Sequence, residues 1–126
     1  MLRLSTAQPA RHPAPITKAL SLAYLLFERP ELTLVRDFLV DFGLKPLESG
    51  PDALYLRGSN GVPYIYRVQR GSRARFVGFA LEVDDRRALE ALAALPGASP
   101  VESEDGPGGG ERVRLRDPSG FEVRAV

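Results

Sequence analysis

The stretch ERVRLRDPSGFEVRAV, residues 111–126, contains two short alternating runs on either side of the turn residues DPSG. Apolar and charged residues alternate in both runs, and a period of two is typical of β-strands with one apolar face. The stretch therefore predicts a β-hairpin that covers a core with one face and carries arginines on the other.

Two registers of this hairpin keep the apolar residues on one face. The first pairs Leu115 with Val123 and leaves a three-residue loop that ends in glycine, where a positive φ is wanted. It also pairs Arg114 with Arg124, and two opposed arginines repel each other unless an anionic group lies between them. The second register pairs Arg114 with Glu122 and removes this repulsion. The alternation of apolar and charged residues is consistent with both registers.

The composition excludes several classes of site. The chain has 126 residues, a net charge of +1 and no cysteine. One domain is therefore expected, and disulfides, thiolate metal sites and cysteine nucleophiles are excluded. His12 is the single histidine, so one chain cannot build a zinc or iron site from several histidines. A net charge near zero gives no indication of a nucleic-acid partner.

Residues 1–18 are rich in proline and alanine, and we predict that they form a flexible arm. They contain no signal-type apolar block, and no apolar run approaches the roughly 20 residues that a membrane span needs. We therefore expect a cytoplasmic protein without a membrane partner. The arm contains arginine and no acidic residue, so a short transit peptide stays open as an alternative.

Hydrophobic periodicity and turn residues divide the rest of the chain into strands and helices. The predicted strands are 19–28, 44–49, 53–57, 64–68, 76–83, 99–103 and the two runs of the hairpin, and the predicted helices are 31–42 and 85–95. On the first helix, Val35, Phe38, Leu39 and Phe42 have the spacing of a core-facing side. Asp85 is placed to cap the second helix.

The order of the elements repeats along the chain. Gly43 and Gly97 end the two predicted helices 54 positions apart, and the segments KPLES (45–49) and SPVES (99–103) keep that offset. Each half has a strand, a helix and three further strands. We therefore predict one α+β domain, residues 19–126, built from two tandem βαβββ modules with about eight strands and two helices.

The first module covers about residues 19–70 and the second about 76–126. In the last strands the offset grows to 58, which aligns Tyr66 with Arg124. The glycine-rich segment EDGPGGG, residues 104–110, accounts for the added positions. It lacks the Lys-Ser/Thr and the helix that follow a phosphate-binding loop, so we predict a mobile connection between strands.

The duplicated unit resembles the vicinal oxygen chelate family, which includes glyoxalase I, bleomycin-resistance proteins, fosfomycin-resistance enzymes and extradiol ring-cleavage dioxygenases. The resemblance covers about residues 20–126. It is carried by LAYLLFERPEL (22–32), FLVDFGL (38–44), FALEVDD (79–85) and DPSGFEV (117–123). It implies a cup-shaped mixed sheet whose inner face holds a divalent metal in the catalytic members. The fold hosts many activities, so the resemblance implies no particular reaction.

The resemblance places the family's metal positions on Tyr24 and Gly78 in the first strands and on Tyr66 and Arg124 in the last strands. None of these is His, Asp or Glu, and a fixed guanidinium charge opposes a bound cation. We therefore predict no metal, no cofactor and no catalytic residue in this chain. The four positions become a candidate ligand-binding wall. Three more residues complete this wall: Tyr64, Arg114 and Glu122.

Each candidate also has a structural interpretation. The tyrosines could stack an aromatic ligand, or they fill a cup that has no metal. Arg114 and Arg124 could clamp a carboxylate or phosphate, or they pair with Glu122 or Glu82 or face a partner domain. The basic run from Arg67 to Arg75 lies between the modules, and we predict a solvated linker there.

The tail PGGGERVRLRDPSGFEVRAV is similar to that of the metal-free N-terminal domain of two-domain extradiol dioxygenases. The resemblance thus implies a non-catalytic domain within an aromatic-degrading enzyme, with Fe(II) confined to a partner domain. The alternative is a stand-alone protein similar to bleomycin-resistance proteins, which binds a small aromatic or anionic ligand without metal. A third hypothesis is a metalloenzyme of the glyoxalase type. The expected partners are a second domain of the family or a second copy in a homodimer.

Overall fold

The computed structural model describes residues 10, 12–47, 50–59 and 62–126. Its elements are β1 (Ser21–Arg29), α1 (Leu32–Asp41), β2 (Lys45–Pro46), β3 (Ala53–Arg57), β4 (Tyr66–Arg70), β5 (Arg75–Glu82), α2 (Arg86–Ala93), β6 (Glu102–Ser103), β7 (Glu111–Arg116) and β8 (Glu122–Ala125). The predicted order of elements is therefore confirmed for this part of the chain. Most of the predicted arm, and the end of the second predicted strand, lie outside the described residues.

The eight strands form one mixed sheet in the order β2-β3-β4-β1-β5-β8-β7-β6. The first strands of the two modules, β1 and β5, pair antiparallel at its centre. In each module the first strand pairs parallel with the last, β1 with β4 and β5 with β8. The outer neighbours pair antiparallel. The predicted α+β architecture of two βαβββ modules is confirmed, with the modules joined along their first strands.

The closing hairpin of β7 and β8 adopts the first of the two predicted registers. Leu115 lies opposite Val123, and Arg114 lies opposite Arg124. Gly120 has φ +92°, a left-handed conformation that side chains with a Cβ rarely adopt. The alternation therefore placed the apolar residues correctly, and the glycine completes the turn.

Both helices begin at an acidic cap. The side chain of Glu31 accepts a hydrogen bond from the backbone N–H of Thr33 at 3.2 Å at the start of α1. Asp85 accepts from the N–H of Ala88 at 2.9 Å at the start of α2, as predicted. Each carboxylate satisfies a backbone donor that has no partner within the helix. Neither described helix has the length and apolar character needed to cross a membrane.

The predicted core-facing side of α1 is confirmed for two of its four residues and is wrong for the other two. Val35 and Leu39 pack on the buried cluster beneath the helix. Phe38 and Phe42 are 61% and 71% exposed. The helix contacts the sheet along a narrow stripe, and the two phenylalanines lie on the flank beside it, together with Leu34, which is 70% exposed.

The two faces of the sheet differ in chemistry. Val68 on β4 packs beneath α1, and Val113 and Ala125 on β7 and β8 pack beneath α2. Side chains alternate between faces along a strand, so Arg67 and Arg124, which neighbour these apolar residues, point away from the helices. We call the face opposite the helices the inner face.

Candidate functional site

Three tyrosines fill part of the inner face. Tyr24, Tyr55 and Tyr64 form a buried cluster with Ala80. The ring centroids of Tyr24 and Tyr64 are 4.9 Å apart, as are those of Tyr55 and Tyr64. Burial, and then the charge of the Glu104 carboxylate, raises the pKa of Tyr64 to about 12. Burial likewise raises the pKa of Tyr24 well above its ordinary value.

A buried carboxylate lies at the centre of the inner face. The Glu104 side chain is only 5% exposed, and its Oε2 accepts a hydrogen bond from the Tyr24 hydroxyl at 2.7 Å. Its Oε1 accepts from Arg67 at 3.2 Å and from Arg112 at 2.7 Å. Arg124 Nη1 lies 3.7 Å from the same oxygen and donates to the Tyr24 hydroxyl at 3.2 Å. We call these five residues the Glu104 network.

Asp105 supplies a second carboxylate at the edge of this network. It receives two hydrogen bonds from Arg67, at 2.6 and 3.1 Å, and one from Arg112 at 2.9 Å. The hydrogen bond from Arg67 is the main reason that the pKa of Asp105 lies well below its usual range, and the charges of both arginines add to the effect. Asp105 is therefore ionised at physiological pH.

The three arginines of the network hold their charge although Arg67 and Arg124 are buried and the Arg112 side chain is only 13% exposed. Burial opposes the charged form of Arg67 and Arg112, but their hydrogen bonds to carboxylates and the nearby negative charges outweigh it and raise the pKa of both. Burial also opposes the charged form of Arg124, but its contacts with Tyr24 and Glu122 outweigh burial and raise its pKa. The network therefore places three permanent positive charges around one carboxylate.

This centre does not fit a divalent cation. A metal needs unoccupied carboxylate or imidazole ligands, whereas both oxygens of Glu104 already accept hydrogen bonds from Tyr24, Arg67 and Arg112. Three guanidinium groups would also repel a cation. Within residues 10, 12–47, 50–59 and 62–126, no cluster of three or more His, Cys, Asp or Glu side chains has the geometry to hold a metal ion.

The structure corrects the predicted position of Tyr66. Its ring stacks on Phe27, with the ring centroids 5.6 Å apart, and packs beneath α1. Tyr64 is two positions from Tyr66, so a regular strand would place both side chains on the same face. A bend at Ile65 interrupts the alternation before β4 begins, and Tyr64 lies on the inner face. The prediction that Tyr66 lines the cup is therefore wrong.

The register of the parallel strands identifies the residue that takes its place. Leu26 lies beside Arg67 in the first module, and Ala80 lies beside Arg124 in the second. Leu26 and Ala80 are 54 positions apart, so Arg67 is the counterpart of Arg124. The offset in the last strands is thus 57 (124 minus 67), not 58, and a shift of one residue moves a side chain to the other face.

The other predicted residues occupy three kinds of position. Gly78 is buried, and β8 approaches its backbone so closely that a Cβ there would collide with the carbonyl oxygen of Glu122. Glu122 accepts a hydrogen bond from Arg124 at 2.6 Å. Arg114 lies at the exposed rim of β7 and pairs with Glu102. Arg114 and Arg124, which lie opposite each other in the hairpin, thus each pair with a different carboxylate.

Sequence reasoning missed Arg67, Arg112, Glu104 and Asp105. The prediction that Arg67 belongs to a solvated linker is wrong, since it is buried and its guanidinium lies 5.4 Å from the centre of the Tyr55 ring. A weak signal existed: Arg67 directly precedes the apolar Val68 in a strand, which places it on the opposite face. Its partners, 37 and 38 positions away, could not be read from local pattern.

A cavity of about 440 Å³ opens beside the network. Tyr24, Tyr64 and Glu104 line its inner side. The rest is lined by apolar side chains, including Leu22 and Val62, and by two polar residues, Ser21 and Glu82. This volume lies within the usual range for small-molecule sites.

No protein-family model matches the sequence, and no curated protein matches it either. Solved structures do match. The chain aligns with the Mn(II)-bound glyoxalase from Novosphingobium aromaticivorans at a TM-score of 0.75 and 20% identity, over 86% of this chain and 39% of that chain. It aligns with homoprotocatechuate 2,3-dioxygenase from Brevibacterium fuscum at a TM-score of 0.76 and 23% identity, over 94% of this chain and 39% of that chain.

The corresponding dioxygenase from Arthrobacter globiformis aligns at a TM-score of 0.75 and 25% identity, over 90% of this chain and 38% of that chain. The present chain therefore spans about two fifths of the length of the structures that it matches. The alignments, which extend over 86% to 94% of this chain, show that it has the fold of the vicinal oxygen chelate superfamily.

Proposed function

We propose that this chain is a non-catalytic domain of the vicinal oxygen chelate fold, equivalent to the metal-free half of an extradiol ring-cleavage dioxygenase. The observation that carries the proposal is the Glu104 network. Where a catalytic member needs free ligands for a cation, this domain has a carboxylate already bonded to two arginines and a tyrosine. In this proposal the domain supports a partner domain, which holds Fe(II) and performs the reaction, in the cytoplasm.

The lengths of the matched dioxygenase chains support the proposal that a second domain performs the reaction. The present chain covers 39% of the Brevibacterium fuscum dioxygenase and 38% of the Arthrobacter globiformis dioxygenase. Each of those chains is therefore long enough to contain a second unit of the same size. In our proposal such a unit, with its own ligands for iron, is the partner of this domain.

An exposed apolar stripe on α1 is a suitable surface for such a partner. Leu34, Phe38 and Phe42 are spaced four residues apart, so they lie on one side of the helix. They are between 61% and 71% exposed, and the rings of Phe38 and Phe42 are 5.0 Å apart. Contiguous apolar surface with aromatic residues is typical of domain and subunit interfaces. We propose that this stripe packs against the second domain.

Metal analysis tests the proposal directly. The full chain is expressed in medium supplemented with iron and manganese, purified without chelators, and its metal content is measured. We expect far less than one equivalent of any divalent metal and no ring cleavage of catechols after Fe(II) is added. Tightly bound iron, manganese, nickel or zinc at one equivalent per chain would overturn the proposal.

A second candidate function is the binding of a small aromatic or anionic ligand without metal, by the chain on its own or as a homodimer. The cavity of about 440 Å³ beside Tyr24 and Tyr64 supports it. Aromatic walls give a flat apolar ligand favourable contacts. The arginines that could recognise an anionic group do not line the cavity, and Arg67 and Arg112 are bonded to Glu104.

A further inference from the structure

We propose that the cavity beside the Glu104 network binds a small organic cation, an ammonium group joined to an apolar body, and that Glu82 recognises its charge. The inference deepens the second function proposed above and rests on it, because it names the class of ligand and replaces the anionic alternative. Its basis is the distribution of charge around the cavity, the carboxylate of Glu82 in its lining, and the apolar walls.

The charged side chains that line the cavity have one sign. Among the described residues they are Glu82 and Glu104, and the lining contains no arginine, lysine or histidine. An anionic ligand would therefore meet charge of its own sign. A cationic ligand would meet charge of the opposite sign, so the lining favours a cation.

The three arginines of the Glu104 network are compensated by carboxylates of the chain itself. Arg67 and Arg112 each donate to Glu104 and to Asp105. Arg124 donates to a third carboxylate, that of Glu122, at 2.6 Å. Three positive charges are thus matched by three negative ones, and the network does not make the cavity attractive to an anion.

Glu82 has no such compensation within the part of the chain that the structure describes. It takes part in none of the ion pairs found there. Its carboxylate accepts a hydrogen bond from the Ser21 hydroxyl at 2.7 Å, and the two residues lie opposite each other where β1 pairs with β5. A carboxylate has acceptor capacity for several hydrogen bonds. Glu82 can therefore accept a charge-assisted hydrogen bond from an ammonium group in the cavity.

The walls of the cavity determine what body the cation carries. Leu22, Val62 and Val83 line it with aliphatic side chains, and Tyr24 and Tyr64 line it with aromatic rings. Aliphatic walls favour a ligand with buried carbon surface, and a tyrosine ring attracts a cation that lies over its face. A ring or short alkyl chain joined to one ammonium group therefore matches both the charge and the walls.

Three probes with the same phenyl body and different charge test the proposal on the wild-type chain. We expect phenethylamine to bind, and 2-phenylethanol, which has no charge, to bind about fivefold more weakly, as is typical of an ion pair open to solvent. Phenylacetate, with the opposite charge, should bind more weakly still. Binding is measured by NMR titration of assigned tyrosine ring resonances. Those of Tyr24 and Tyr64 should shift, whereas those of Tyr66, which packs beneath α1, should not.

Substitutions of Glu82 test its role separately. Glu82→Gln keeps the size of the side chain and removes its charge, so it should weaken phenethylamine binding about fivefold and leave 2-phenylethanol binding unchanged. Glu82→Lys reverses the charge and should bind phenylacetate more tightly than phenethylamine. Glu90→Gln is the matched control, since it removes the same charge from an exposed residue that pairs with Arg86 and does not line the cavity. It should bind phenethylamine at the wild-type level.

The proposal is overturned if 2-phenylethanol or phenylacetate binds the wild-type chain as tightly as phenethylamine, or if Glu82→Gln and Glu90→Gln have equal effects. In either case the cavity still binds a ligand, so the second proposed function stands without this ligand class. If none of the three probes binds, both are overturned. Should Glu82→Gln fail to fold, as judged by circular dichroism, the comparison of the three probes on the wild-type chain decides.

Discussion

Arg67 and Arg124 occupy equivalent positions in the two modules, and both guanidinium groups face the carboxylate of Glu104, at 3.2 and 3.7 Å from its Oε1. The centre of this fold thus has the opposite polarity to a metal site, since an anion lies among fixed cations. The two arginines come from different modules, so the single carboxylate contacts both halves of the sheet across the inner face.

Replacing Arg67 by methionine should destabilise the domain by about 3 kcal/mol, because removal of this partner leaves the buried carboxylate of Glu104 without full compensation. Urea unfolding followed by circular dichroism measures this change. Arg86→Met is the matched control, since Arg86 pairs with Glu90 and Glu111 at the exposed surface. We expect the control to change the free energy of unfolding by less than about 1 kcal/mol. Equal effects of the two substitutions would contradict the role assigned to Arg67.

Gly78→Ala should destabilise the fold because its Cβ would collide with the carbonyl oxygen of Glu122, which must then move with β8. Overpacking of this kind is destabilising by about 1–3 kcal/mol, and more where backbone must shift. Gly50→Ala is the control, since its Cβ would meet no atom within 4 Å, and its effect should stay within about 1 kcal/mol. Thermal unfolding of both variants provides the comparison, and a Gly78→Ala protein as stable as wild type would show that β8 can be displaced freely.

At alkaline pH the tyrosine cluster should become a source of instability. The pKa of Tyr64 is raised to about 12 in the folded chain, against about 10 in an unfolded chain. A raised pKa gives stability that is fully present below pH 10 and is lost as the pH rises towards 12. Free energies of unfolding measured across this range should therefore fall. Tyr64→Phe should have a shallower decline, and an unchanged slope would contradict the raised pKa.

At acid pH the contribution of Asp105 should be lost. Its pKa is lowered in the folded chain, chiefly by the hydrogen bond from Arg67, so its stabilisation is present above the unfolded pKa of about 4 and disappears as the pH falls below that value. The Asp105 side chain is 59% exposed, so solvent and salt weaken the effect. Unfolding at pH 6 and at pH 3 should show a smaller difference for Asp105→Asn than for the wild type. The same difference in both proteins would exclude this contribution.

Local pattern was sufficient for most of the fold. Strict alternation around DPSG limited the closing hairpin to two registers, and the pairing of Leu115 with Val123 confirms one of them. Asp85 was recognised as a cap because a carboxylate before a periodic run has a specific local partner. The glycines that end the two helices, Gly43 and Gly97, gave the repeat offset of 54 positions.

The inner face was harder to predict because its partners are distant in sequence. Tyr66 was placed there through a repeat offset that was wrong by one position, and the bend at Ile65 had no clear signal in the sequence. Glu104 was predicted to begin a mobile connection. Its contacts with Tyr24 and Arg67 could not be predicted, because they join positions that are 80 and 37 residues apart. Such pairings are decided by the assembled sheet and not by neighbouring residues.

Both the anion and the cations of the Glu104 network are part of the polypeptide itself. No chelator can extract them, and no cellular supply of iron or manganese is needed to bring them together. In the proposed metal-free role, folding alone would assemble this network, and the network would keep its form in a cell starved of transition metals.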